Sequence, residues 1–349
     1  MSTGAILRLG TLKDVERLQA HAQTLDLQIP CDPEIVTGAR SPLRWPLNRE
    51  PFKIGNRIAV QPMEGWDATA DGSPSENTVR RWQRFGRSGG KLIWGGEAVA
   101  VSHEGRANPN QLLANSRTEQ ALADLREVLR REHILTTGSD DGLVIGLQLT
   151  HSGRYCRPNE HSRPEPRILY HHPFLDERLK LPPDYPLLTD GEIESIIEDF
   201  HRAAVRAWRL GFDFVDIKHC HGYLGHEFLS AHTREGHYGG TFEGRTRFLR
   251  EVVQGIRSLC TGMHIGVRLS AIDTVPFCSD PTQSVNGKSA TGIAETRPEF
   301  LPYRWGFGVN PLNPTDTDLS EPERFLSLLE ELEIQLVNIL SLIHISEPT

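Results

Sequence analysis

One feature constrains this chain more than any other: short apolar runs alternate with longer stretches whose apolar residues recur at helical spacing. The runs Arg57–Gln61, Leu92–Trp94, Val144–Leu149, Phe214–Lys218, Ile265–Leu269 and Gln335–Ile339 read as buried strands. Parallel pairing needs a connection about a helix long, which this alternation supplies, so the pattern predicts repeated βα units. Between them, Thr189 with Glu192 three residues on forms a capping box. It opens a helix that buries Ile193, Ile196, Ile197, Phe200, Ala204, Ala207 and Trp208, and Gly211 ends it. Ser320 and Glu323 predict a second capping box before Phe325, Leu328, Leu329 and Leu332.

Six strands fall short of the eight that close a (β/α)8 barrel, so the expected fold is an incomplete α/β TIM barrel with about six of eight units. Residues 1–50, interrupted by Pro30, Pro33, Pro42 and Pro46, are expected to be irregular, and residues 51–339 to form the barrel. The final stretch, SLIHISEPT, continues no element, and residues 340–349 are expected to be a tail foreign to the protein, whose native sequence would go on to the missing strands. Two insertions, at about 152–188 and 271–319, follow the third and fifth strands, on the face where barrels carry their sites. They read as substrate lids or as surface decoration.

Composition excludes several function classes. A net charge of −8 offers no basic surface to track a phosphate backbone, so no nucleic-acid partner is expected. No window reaches the apolar length of a membrane span, and the N-terminus lacks a signal-peptide pattern. Five scattered cysteines without a CxxC pair fit a reducing, cytoplasmic setting.

The chemistry concentrates in FVDIKHCHGYLGHEFLSAHTREGHYGGTFEGRTRF, residues 214–248, where a buried strand ends in Lys218, His219, His221, Tyr223 and His226. That density of polar groups belongs where a strand meets a cavity. Taken alone, His219 and His221, two apart on extended chain, could hold a metal with His151, as in a barrel hydrolase, or serve only structure. A non-catalytic barrel is the third reading. Met63, Trp66 and Trp94 read as packing.

The same segment resembles the signature of the Old Yellow Enzyme, or NADH:flavin oxidoreductase, family. So do NRIAVQPMEG (56–65), IWGGEAVAV (93–101), GLQLTHSGR (146–154) and IGVRLSA (265–271), in order over about residues 51–339. The resemblance implies bound FMN, reduction by NAD(P)H, and hydride transfer to an electron-poor small molecule such as an α,β-unsaturated alkene. It implies that Pro62, Met63, Glu64, Gly96 and Ala98 pass beside the flavin, that Gln148 pairs with its pyrimidine edge, and that Arg268 stands near N1 and O2. His221 corresponds to one member of the pair that binds the substrate oxygen, and Tyr223 to the proton donor. Lys218 stands where a histidine is usual, and Gly244 where an asparagine is usual. A full cation at 218 would stabilise an enolate strongly, but as a flexible point charge. Amine dehydrogenase or demethylase activity, an iron–sulfur cluster in a missing C-terminal part and a homo-oligomer are further possibilities within the family. No protein-bound metal ion is expected within the chain itself.

Overall fold

A computed structural model describes residues 9–32, 34–279 and 292–340. Six strand positions form one parallel sheet. They are β1 (Ala59–Val60), β2 in two pieces (Leu92–Ile93 and Ala98–Ala100), β3 (Val144–Thr150), β4 (Phe214–His219), β5 (His264–Ser270) and β6 (Leu336–Leu340). Each pairs with the next in chain order, the strand order of a βα barrel. The crossover helices are α1 (Glu76–Arg87), α2 (Glu119–Thr137), α3 (Asp190–Arg209), α4 (Phe242–Leu259) and α5 (Ser320–Glu331). The sheet curls into an incomplete (β/α)8 barrel. Asn338 on β6 donates through its side chain to Gln61, just past β1, at 2.5 Å.

Alternation along each strand divides the core in two. Outward residues, among them Ile145, Leu147, Leu149, Val215, Ile217, Val267 and Leu269, bury against Leu125, Leu129, Ile193, Phe200, Phe248, Val252 and Phe325 of the helices. Inward residues fill the N-terminal end with Trp94, Val144, Phe214 and Leu336. A hairpin, Leu47–Arg49 with Phe52–Ile54, adds Phe52 and Ile54 to this plug.

All six expected strands are present, five of them within two residues at each end; the second, expected at Leu92–Trp94, resumes in a further piece at Ala98–Ala100. The Thr189 capping box forms: Thr189 Oγ1 accepts from Glu192 N at 3.2 Å, and Glu192 returns a bond to Thr189 N at 2.8 Å. Three expectations need correction. Residues 1–50 are not wholly irregular: Val15–Thr24 is a helix capped by Asp14, whose Oδ1 accepts from Arg17 N at 2.8 Å. Trp208 is 41% exposed, because it lies at the rim of the buried stripe of α3. Ser320 caps nothing: it is the first residue inside α5, and its hydroxyl donates to Asp318 at 2.6 Å.

The two insertions are packed on one another. Phe174 of the first joins Val275, Tyr303 and Val309 of the second in a separate apolar cluster. Tyr303 OH lies 3.1 Å from His172 Nε2, and Trp305 donates to the His171 carbonyl at 2.9 Å. A shared core of this kind is inconsistent with loose surface decoration. The middle of the second insertion, 280–291, and the expected tail from residue 341 lie outside the described residues.

Candidate active site

Strand alternation decides which groups of the polar segment face the interior. On β4, Phe214 lies in the inner plug and Val215 and Ile217 in the outer layer, so Asp216 and Lys218 point inward and His219 outward. Gln148 of β3 pairs in register with Asp216, and Arg268 of β5 with Lys218. All four side chains are buried. Gln148 donates its amide to Asp216. Burial pushes the Asp216 carboxyl up to about 6, against the opposing pull of the Gln148 bond and the Arg268 charge.

Over this wall lies the segment that follows β1. Arg268 donates to the Pro62 carbonyl at 3.1 Å, and the Met63 carbonyl accepts from Ala98 N at 3.1 Å. The segment is thereby tied to two strands, and Glu64 is carried to the barrel's C-terminal mouth. There Glu64 gathers three donors. Lys218 Nζ pairs with Oε1, while Tyr223 OH and Trp66 Nε1 donate to Oε2 at 2.7 and 3.1 Å. The Lys218 ammonium also sits 3.7 Å from the centroid of the Tyr223 ring.

A second charged cluster braces the turn from outside. Glu97 accepts from Gly65 N and from Arg81, both at 2.6 Å, and Arg81 also binds Asp67. Burial pushes Glu97 up to about 7 in spite of Arg81, and the Arg81 hydrogen bond holds Asp67 below the usual carboxylate range.

Lys218, Tyr223 and Glu64 therefore converge, with Gln148 and Arg268 on the wall below. His221 stands at the mouth with φ +63; its backbone N–H donates to Ser270 Oγ at 3.2 Å, and its ring lies edge-on to Tyr223 at 6.4 Å. Ala98 is in register with Gln148. At Gly96 the fold itself requires glycine: φ is +53 and an added Cβ would come within 2.8 Å of the Trp82 ring. Met63 (57% exposed) and Trp66 (42%) do not pack, contrary to expectation, whereas Trp94 does, edge-on to Phe214.

His219 and His221 do not point the same way. His219 lies between Phe248 and Phe325, outside the sheet, and burial holds it down at about 4, hence neutral. His221 has left the strand in a left-handed conformation. The paired-histidine geometry required by the hydrolase reading is absent, and among the described residues no group of three His, Cys, Asp or Glu is placed to hold a metal.

Glu64's contacts, Asp216 and the Arg81–Glu97–Asp67 brace escaped the sequence reading. Asp216 could have been found, since it shares the period-two face of Phe214 and Lys218. The other contacts join segments far apart in the chain. The wall fits the flavin that the resemblance implies. Gln148 Oε1 and Arg268 Nε are buried with no partner among the described residues, which leaves an acceptor and a cationic donor suited to a heteroaromatic edge.

Residues 43–306 match the model of the NADH:flavin oxidoreductase / NADH oxidase family. The chain is 34% identical over 235 residues to an NADPH dehydrogenase of Geobacillus sp. (strain WCH70), covering 64% of this chain and 61% of that protein. It is 28% identical over 278 residues to a putative 12-oxophytodienoate reductase 4 of Oryza sativa subsp. japonica, covering 77% and 69%. It thus spans about three-fifths of the length of the first of these curated relatives. Among solved structures, Old Yellow Enzyme from Pichia sp. AKU4542 superposes with a TM-score of 0.60 at 23% identity, over 87% of this chain and 72% of that one.

Proposed function

Because this chain belongs to the NADH:flavin oxidoreductase / NADH oxidase family, we propose that it forms the flavin-binding part of an FMN-dependent oxidoreductase that uses NAD(P)H to reduce electron-poor carbonyl-conjugated alkenes. The observation that carries this reading is the meeting of Tyr223, Lys218 and Glu64 at the mouth, over a wall bearing Gln148 and Arg268.

FMN, when bound, supplies the hydride acceptor and donor. Gln148 and Arg268 would hold it, Gln148 by its unspent amide oxygen and Arg268 by its guanidinium. His221 and Lys218 hold the substrate's carbonyl oxygen; by drawing charge onto it they make the β-carbon electrophilic, the task of an oxyanion hole. The Tyr223 hydroxyl, which donates to Glu64 in the resting site, would turn its proton from that carboxylate to the α-carbon and be reprotonated from solvent. The first insertion reaches the mouth, with Tyr155 beside Tyr223 at a ring separation of 6.1 Å.

The visible spectrum of the purified chain with added FMN tests the proposal. Visible absorption bands of bound flavin, bleached anaerobically by NADPH and restored by an α,β-unsaturated ketone, are expected. A folded chain that takes up no FMN would refute it. Tyr223→Phe should slow the restoring half-reaction by roughly 10²–10⁴-fold and leave bleaching unchanged.

A further inference from the structure

Lys218 faces the interior with its side chain only 2% exposed. An isolated buried ammonium would make the mouth strongly attractive to anions, and a carboxylate-bearing substrate would be its natural ligand. The charge is not isolated. Glu64 Oε1 pairs directly with Nζ, and the other oxygen of Glu64 is held by Tyr223 and Trp66, which fixes the carboxylate in place. Deeper in the wall, Arg268 is likewise accompanied by Asp216, on the neighbouring strand, whose carboxylate its charge stabilises. Each cation of the site therefore has a carboxylate beside it.

An ammonium carries three N–H donors, and one of Lys218's is spent on Glu64. The ammonium also lies over the Tyr223 ring, and a donor not turned to Glu64 or to that ring can hold a neutral carbonyl oxygen. A carboxylate in the same position gains no net charge attraction, because it meets Glu64 as well as Lys218.

We propose that Glu64 determines the substrate class of this site: by cancelling the charge of Lys218 it admits neutral carbonyl compounds and disfavours carboxylates. The inference rests on the binding reading above, since it takes the mouth as the substrate site. It goes beyond that reading by assigning selectivity to a residue for which the resemblance implied only backbone proximity to the flavin.

The test is calorimetric titration of the chain, with and without FMN, using three probes of one shape: benzamide, benzoate and benzylammonium. Glu64→Gln keeps the side chain's size and one acceptor oxygen while uncovering the charge of Lys218, at the loss of at least one of the three hydrogen bonds that Glu64 accepts. It should tighten benzoate relative to benzamide by about tenfold or more, the scale of one uncompensated charge at contact distance. Lys218→Met uncovers Glu64 instead and should tighten benzylammonium relative to benzamide while weakening benzoate. Circular dichroism confirms that each variant is folded, and the opposite signs separate a charge effect from general damage. A benzoate-to-benzamide ratio that moves less than about twofold in Glu64→Gln, or equal changes for all three probes in Lys218→Met, would overturn the proposal. FMN uptake, read by absorbance in the same samples, bears separately on the redox reading: a chain that refuses FMN yet shows the opposite charge preferences would retain this inference and lose the other.

Discussion

Asp216→Asn should stabilise the chain, and by an amount that depends on pH. Asp216 is completely buried on the inner face of β4, and burial raises its carboxyl from 3.8 to about 6. A shift of about 2 units is about 3 kcal/mol. The sign follows from linkage. The folded state holds the proton more tightly than the unfolded chain, so this group contributes stability below pH 3.8 that is lost as pH rises through 6. At neutral pH the native protein therefore carries a buried, incompletely compensated charge. Asparagine retains the shape and an oxygen that can accept from the Gln148 amide, but removes the charge. The expected gain is about 3 kcal/mol at pH 8, shrinking to about 1.5 kcal/mol at pH 5 as the native carboxyl becomes protonated in the fold but not yet in the unfolded chain. Urea unfolding followed by far-ultraviolet circular dichroism at pH 5, 6, 7 and 8 measures it, provided both proteins keep the same m-value. A gain independent of pH, or a loss at pH 8, would refute the reasoning and mean that the Asp216 carboxylate is better compensated by Arg268 than the geometry indicates.

Three further outcomes are expected. Arg81→Met leaves Glu97 buried without its cation and should cost about 3–5 kcal/mol, read as a lowered urea midpoint; an unchanged midpoint would mean that the brace around Gly65 is slack. Gly96→Ala forces a left-handed φ on alanine and drives its methyl into Trp82, so roughly 2–4 kcal/mol should be lost, with altered near-ultraviolet dichroism from the displaced indole. Thr189→Ala removes the side-chain cap of α3 and should cost about 1 kcal/mol, whereas Ser320→Ala, whose hydroxyl donates to Asp318 and caps no helix N–H, should cost less than half of that.

Much of the fold was legible in the chain because buried parallel strands are mostly apolar and the helices covering them must be amphipathic. Those periods are properties of the local backbone, so six strands, the α3 capping box and the polar end of β4 appear as plain patterns. Gln148, Lys218, Tyr223 and Arg268 were singled out because family-like motifs sit at strand ends, where position along the chain is nearly position at the mouth. The failures have a different origin. The Ser320 box failed because a cap requires a particular backbone turn and not only two residues at the right spacing. The pairing of Lys218 with Glu64 joins residues 154 positions apart, and Tyr223 reaches the same carboxylate across 159. Local sequence determined which residues end each strand and which face they occupy. Only the tertiary structure decided that the lysine standing at the histidine position would be met by a carboxylate, because sheet register and curl, which no local repeat encodes, bring β1 and β4 to the same mouth.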